Sequence, residues 1–187
     1  MTDYNTMTLS SARRAYLASS TTALPLSGFI CWTTFMVAAY FLGSDLPIYA
    51  AYVAAAAPVP MALAIDKLRG EPGLRAESRE NPITQLFMQF IFVVALLLPF
   101  VIIAAKAAAD AHLLTLGVAI LAGLVWVPHG WGADDKSGFI HFVVRSCSCY
   151  AAYLFAPDNM KTAAIAGVVA LAYIYAMAAM KKPASAR

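Results

Sequence analysis

Six apolar stretches, each close to twenty residues long, occupy most of the chain and alternate with short polar connections: approximately 22–43, 46–65, 84–105, 113–129, 138–156 and 162–180. A helix needs about 20 mostly apolar residues to cross a hydrocarbon core of about 30 Å, so this pattern predicts six transmembrane helices. The runs are continuous and rich in Ala and Leu, whereas a membrane barrel would need short segments of period-2 alternation. The predicted fold class is all-α, a polytopic membrane bundle. A polar, Ser/Thr-rich lead covers residues 1–20, with a candidate interfacial helix around Arg13, Arg14 and Tyr16. The six-helix transmembrane domain takes up 21–182, and a short tail 183–187.

Composition agrees with this pattern. Of 187 residues, 61% are hydrophobic and only 12% charged, and the mean hydropathy is +0.71, far from the balance of a soluble domain. Disorder, nucleic-acid binding and an extended coiled coil are excluded on the same grounds. Charge then orients the chain. With the N-terminus in the cytoplasm, Arg13, Arg14, Lys67, Arg69, Arg75, Arg79, Lys136, Lys181, Lys182 and Arg187 lie inside, against Lys106 and Lys161 outside. Both termini are therefore predicted to be cytoplasmic, in a multi-pass protein of the bacterial inner membrane. Arg13-Arg14 ahead of an apolar run resembles a twin-arginine export signal, but a long first span carrying Trp32, Phe35 and Tyr40 reads as an ordinary helix. The longest connection, 66–83, mixes both signs of charge and is no polybasic lipid-binding patch.

Polar groups inside spans are costly in lipid and carry most of the functional information. Asn81, Gln85 and Gln89 are four residues apart, as are His141, Arg145 and Cys149, so each set lies on one helix face. The fourth span closes with Trp126-Val127-Pro128-His129-Gly130-Trp131, and the second with Asp66. Pro58 and Pro60 push away the carbonyls of Ala54 and Ala56, which then need other partners. All of these fall in the cytoplasmic half. They predict a polar pocket open to the cytoplasm, with Asn81, Gln85, Gln89, His129, Trp131, His141 and Arg145 as ligand-binding residues. The competing reading is crowding of ordinary anchor residues near the headgroups. Arg145 separates the two. A snorkelling Arg145 would place its charge among the headgroups. Facing inward, it would need Gln85, Gln89, the carbonyls of Ala54 and Ala56, or a bound anion, because Asp66 and Asp134 are expected at the surface.

Three cysteines give no disulfide framework. Cys147 and Cys149 are two apart, about 200° around a helix, so they cannot share one metal ion and no metal site is predicted. No cofactor is predicted either. Haem held by His129 and His141 is the one alternative that the His positions leave open. Nucleophile elbows, HExxH, phosphate loops and paired intramembrane carboxylates do not occur, so there is no catalytic residue to name.

Asn81-Pro82 opening the third span, together with Trp126-Val127-Pro128-His129-Gly130-Trp131 closing the fourth, resembles a family of small uncharacterised bacterial membrane proteins. That family has six helices and a Pro-Tyr-Gly-Trp signature at the matching place. The likeness covers roughly residues 81–145. His129 stands where the family has an aromatic residue, and Gly-Leu-Val-Trp precedes it where the family tends to have a His. The resemblance implies the architecture and carries no activity. The leading expectation is a membrane protein that binds or transports a small or anionic ligand. The alternatives are an accessory subunit of a larger membrane complex, or a homo-oligomer, and third a lipid-modifying enzyme embedded in the bilayer.

Overall fold

The computed structural model describes residues 7–71 and 76–182. The start of the lead, the tail 183–187, and Arg75 and Arg187 of the basic set lie outside the described residues. Within them the chain is helical, with short 3-10 turns and no strand.

The helices are α1 (Leu9–Ala18), α2 (Leu24–Leu42), α3 (Ala50–Ala56), α4 (Pro58–Leu68), α5 (Pro82–Ala107), α6 (Ala111–Leu124), α7 (Trp126–Gly132), α8 (Ser137–Phe155) and α9 (Lys161–Ala179). Two of the breaks come from proline. Pro58 and Pro60 lack N–H groups, so α3 hands over to α4 at Ala57, whose own N–H still reaches Val53 O at 2.9 Å. Pro128 cannot bond back to Leu124, and α6 gives way to α7 at Val125. In both cases the rod continues, from Ala50 to Leu68 and from Ala111 to Gly132. Pro99, by contrast, sits inside an uninterrupted α5.

Five rods are long and apolar enough to cross a membrane: Leu24–Leu42, Ala50–Leu68, Pro82–Ala107, Ala111–Gly132 and Asp158–Ala179. Helix α8 has the same 19 residues as α2 but carries His141, Arg145 and three serines, which takes it out of that set by composition. It packs nevertheless as a full member of the bundle, against α9, α6 and α7.

Helices α2 and α9 form the central pair, and α3 with α4, α6 and α8 surround it. Small residues make this closeness possible. Ala163, Ala166 and Ala170 on α9 and Ala51 and Ala54 on α3 are all buried, so the small-residue faces serve the bundle interior. Trp32, Phe35, Val118, Ile165, Val169 and Tyr173 fill the core between them. The α7–α8 hairpin is tight because Gly138 faces Gly130; a Cβ on Gly138 would lie 2.3 Å from Trp126 O. Helix α5 lies at the edge, with only Ile83, Val94 and Ala105 buried along 26 residues.

Two features are arranged otherwise than the sequence pattern suggests. Asp66 is buried and not at the surface. Its carboxylate accepts hydrogen bonds from Thr22 N and Oγ1 and from Ala23 N, so it caps α2 from the end of α4. Helix α1, the expected interfacial helix, buries Ala12, Tyr16 and Leu17 and docks on α5 and α7.

Candidate functional site

Helix α8 turns His141, Arg145 and Cys149 inward, as four-residue spacing requires, and all three are buried. Cys147 points the other way and is exposed. Arg145 is 0% exposed, in the middle of the helix. Its Nη2 donates to the carbonyl oxygen of Ala119 at 2.6 Å. That oxygen is available because a carbonyl has two lone pairs and the helix uses only one. One turn further along α6, Gly123 leaves room for the side chain; a Cβ there would lie 3.1 Å from Arg145 Nε.

The guanidinium is sandwiched loosely between aromatic rings, with Cζ 5.6 Å from the centre of Trp32 and 5.5 Å from that of Tyr173. Tyr173 can stand there because Gly28 on α2 has no side chain; a Cβ would fall 2.2 Å from the Tyr173 ring. Trp126 packs against His141 at 5.1 Å between ring centres, and His141 against Tyr173 at 5.9 Å. Among the described residues, Arg145 Nε and Nη1 have no hydrogen-bond partner, nor do the indole N–H groups of Trp32 and Trp126. Each of these groups is a donor. A cavity of about 240 Å³ opens between α8 and α9, lined by Ile140, Val144, Arg145 and Ser148 on one side and Leu171 and Tyr175 on the other.

A second polar cluster closes the end of the bundle where α1 docks. The Tyr16 hydroxyl and His129 Nδ1 share a hydrogen bond of 2.9 Å, and burial pushes the Tyr16 phenol up from its ordinary value. Arg13 lies over the Trp131 ring at 4.8 Å and pairs with Asp134 at 2.7 Å. Trp126 packs against the rings of both His129 and His141, and His129 already spends Nδ1 on Tyr16. No group of three His, Cys, Asp or Glu side chains gathers as a metal site among the described residues.

The seven expected site residues therefore separate. His141 and Arg145 are brought together in the core. His129 and Trp131 sit at the end of the bundle, Trp131 largely exposed. Asn81 does not reach a pocket, because it is the N-cap of α5, accepting from Ile83 N and donating to Ala12 O. Gln85 and Gln89 are exposed on the outer side of α5, and Gln85 donates to Arg79 O. Arg145 thus takes its acceptor from α6, not from Gln85, Gln89 or the carbonyls of Ala54 and Ala56. Sequence reasoning missed Trp32, Tyr173 and the Ala119 carbonyl. The available signal was the depth of Trp32 within the first span, well away from the interfacial level where tryptophans normally stand.

Fold and site together define an all-α protein with several membrane-length helices, packed around a buried arginine that lacks a full set of acceptors. The chain belongs to a family of unknown function (DUF7010), whose model matches residues 13–182. No curated protein and no solved structure matches the chain.

Proposed function

We propose that the protein is threaded six times through a membrane, with both termini cytoplasmic, and that it binds a small anionic ligand at Arg145. The two ends of the bundle support the orientation. Arg13, Arg79 and Lys181 engage neighbours at one end, around Asp134, Asp135 and Gln85. At the other end Lys161 pairs with Asp158, near Asp110 and His112. A predominance of basic residues at one end is what a cytoplasmic face carries.

One observation carries the ligand. Arg145 Nε and Nη1, Trp32 Nε1 and Trp126 Nε1 are buried donors without acceptors, and a buried cation with one neutral partner is costly, about 3 kcal/mol on insertion scales. An anion would supply both the missing charge and the missing lone pairs. Thermal unfolding of the purified protein in detergent with phosphate and with a series of carboxylates from acetate to oleate tests this, a rise with any one of them being the supporting result. The midpoint should rise with anion concentration in the wild type and stay flat in Arg145→Leu. A flat response in both would overturn the reading.

A second reading, an accessory subunit or homo-oligomer, is favoured by α5. Its outer face exposes Leu86, Phe92, Leu96, Phe100 and Ile103, and a partner helix would cover it as well as lipid does. Recovery of the chain at its own mass from native membranes in mild detergent would count against this.

A further inference from the structure

We infer that the occupant of the Arg145 site is an amphiphilic carboxylate, a long-chain fatty acid in class, and that it enters sideways from the bilayer between α8 and α9. The inference rests on the reading of Arg145 as an anion anchor and adds the ligand's chemistry and its route.

The route follows from where the cavity opens. Ile140 is 46%, Val144 58% and Leu171 66% exposed, so the cavity mouth lies on the outward, lipid-facing sides of α8 and α9. Towards the cytoplasmic end the way is filled. Trp126 is buried beneath His129, Tyr16 is hydrogen-bonded across to His129, and Tyr16 and Ile83 close on Gly132. An anion arriving from water on that side would have to displace α1.

The chemistry follows from what lines the opening. Arg145 is the one charged residue of the lining, Ser148 and Tyr175 are polar, and Ile140, Val144, Val168, Leu171 and Ala172 are apolar. A single cation calls for a monoanion. An inorganic anion entering by this route would first have to shed its water in hydrocarbon. A fatty acid avoids most of that cost, because its chain already lies in lipid and its carboxyl can cross the apolar mouth protonated and ionise beside the guanidinium. The carboxyl proton passes to solvent water at the membrane surface, and no other bond changes. A glycerophospholipid with an esterified headgroup carries its phosphate between two bulky groups, which a cavity of about 240 Å³ does not accommodate together, and phosphatidic acid would bring up to two negative charges to a single cation. A carboxylate is terminal; Arg145 is covered at the inner wall of the cavity, so its side chain has to turn outward for the guanidinium to meet the two oxygens, with the chain trailing between Val144 and Leu171 into the bilayer.

The test uses the full chain in phosphatidylcholine nanodiscs. The protein has three tryptophans, and Trp131→Phe removes the exposed one, leaving as fluorophores Trp32, 5.6 Å from the Arg145 guanidinium, and Trp126, which packs on the same Tyr173 ring. The quenching probes are a stearate with a nitroxide close to its carboxylate, the methyl ester of the same molecule, and the water-soluble nitroxide carboxy-PROXYL. At alkaline pH the labelled acid should quench beyond the ester at equal loading. Unlabelled oleate should abolish that excess, and so should Arg145→Leu. Equal quenching by acid and ester, with saturable quenching by carboxy-PROXYL, would overturn the fatty-acid inference and leave a water-borne anion at Arg145. No saturable quenching by either would overturn both readings. If Arg145→Leu does not fold, the acid–ester difference and its displacement by oleate decide the matter on the Trp131→Phe protein alone.

Discussion

Arg145 has five N–H donors and, among the described residues, one acceptor, the carbonyl of Ala119. Such a residue is a burden on the fold. Its charge is removed from water, and the faces of Trp32 and Tyr173 return only part of the loss. Replacement by a residue of similar size without charge should therefore stabilise the fold: Arg145→Leu is expected to gain about 1–4 kcal/mol in detergent unfolding measurements while losing the anion response. A loss of stability instead would show that Arg145 is a structural strut. Arg145→Lys should not restore anion binding, because a point ammonium cannot hold the Ala119 carbonyl and a ligand together in a planar fork. The same cluster depends on Gly28. An alanine there would drive its Cβ into the Tyr173 ring, which is already packed against Trp126, His141 and Arg145. Gly28→Ala should cost about 1–3 kcal/mol, read by the same unfolding experiment.

Among the elements, α1 is the one held by the fewest contacts. Only Ala12, Tyr16 and Leu17 are buried along it, and Tyr16 supplies both the ring that packs on Phe87 and the hydroxyl that meets His129. Tyr16→Ala should release the helix, and trypsin cleavage after Arg13 and Arg14 in inside-out vesicles should then become faster than in the wild type. Unchanged cleavage would mean that Ala12 and Leu17 suffice. At the start of α8, Asp135 accepts from Lys181 N and Ser137 N and so joins the beginning of that helix to the end of α9. Burial pushes its carboxyl up, but these hydrogen bonds and the Lys181 charge outweigh it and hold the carboxyl below its ordinary value. A depressed carboxyl contributes stability that is present above its unfolded pKa, about 3.9, and is lost as pH falls through the folded value. Asp135→Asn should accordingly flatten the acid limb of the stability profile, as seen in unfolding midpoints collected on either side of pH 4.

On the scale of the whole molecule, the proposed six-span threading would place the Gly43–Asp45 turn outside and the end of α9 inside. A reporter fused beyond α9 should behave as cytoplasmic, and one inserted at Gly43–Asp45 as external; finding both on one side would refute the threading. The edge position of α5 belongs to this scale too. Its 26 residues measure about 39 Å, longer than a hydrocarbon core of about 30 Å, so in the proposed threading α5 would tilt or extend beyond the core.

What the sequence determined by itself is the set of rods. The six predicted stretches coincide with α2, the α3–α4 pair, α5, the α6–α7 pair, α8 and α9 to within a few residues, because the length and continuity of an apolar run are properties of one dimension. The inward face of α8 was legible in the same way, since a four-residue repeat of His141, Arg145 and Cys149 can point in only one direction. The identical repeat of Asn81, Gln85 and Gln89 on α5 led elsewhere. Gln85 and Gln89 are exposed and Asn81 caps its own helix, while Asp66, expected at the surface, is buried beneath α2. Which polar face is covered depends on the neighbour that packs over it, and the acceptor of Arg145 lies 26 residues away on another helix. Spacing along a chain sets which residues share a face, and only packing in three dimensions decides what that face meets.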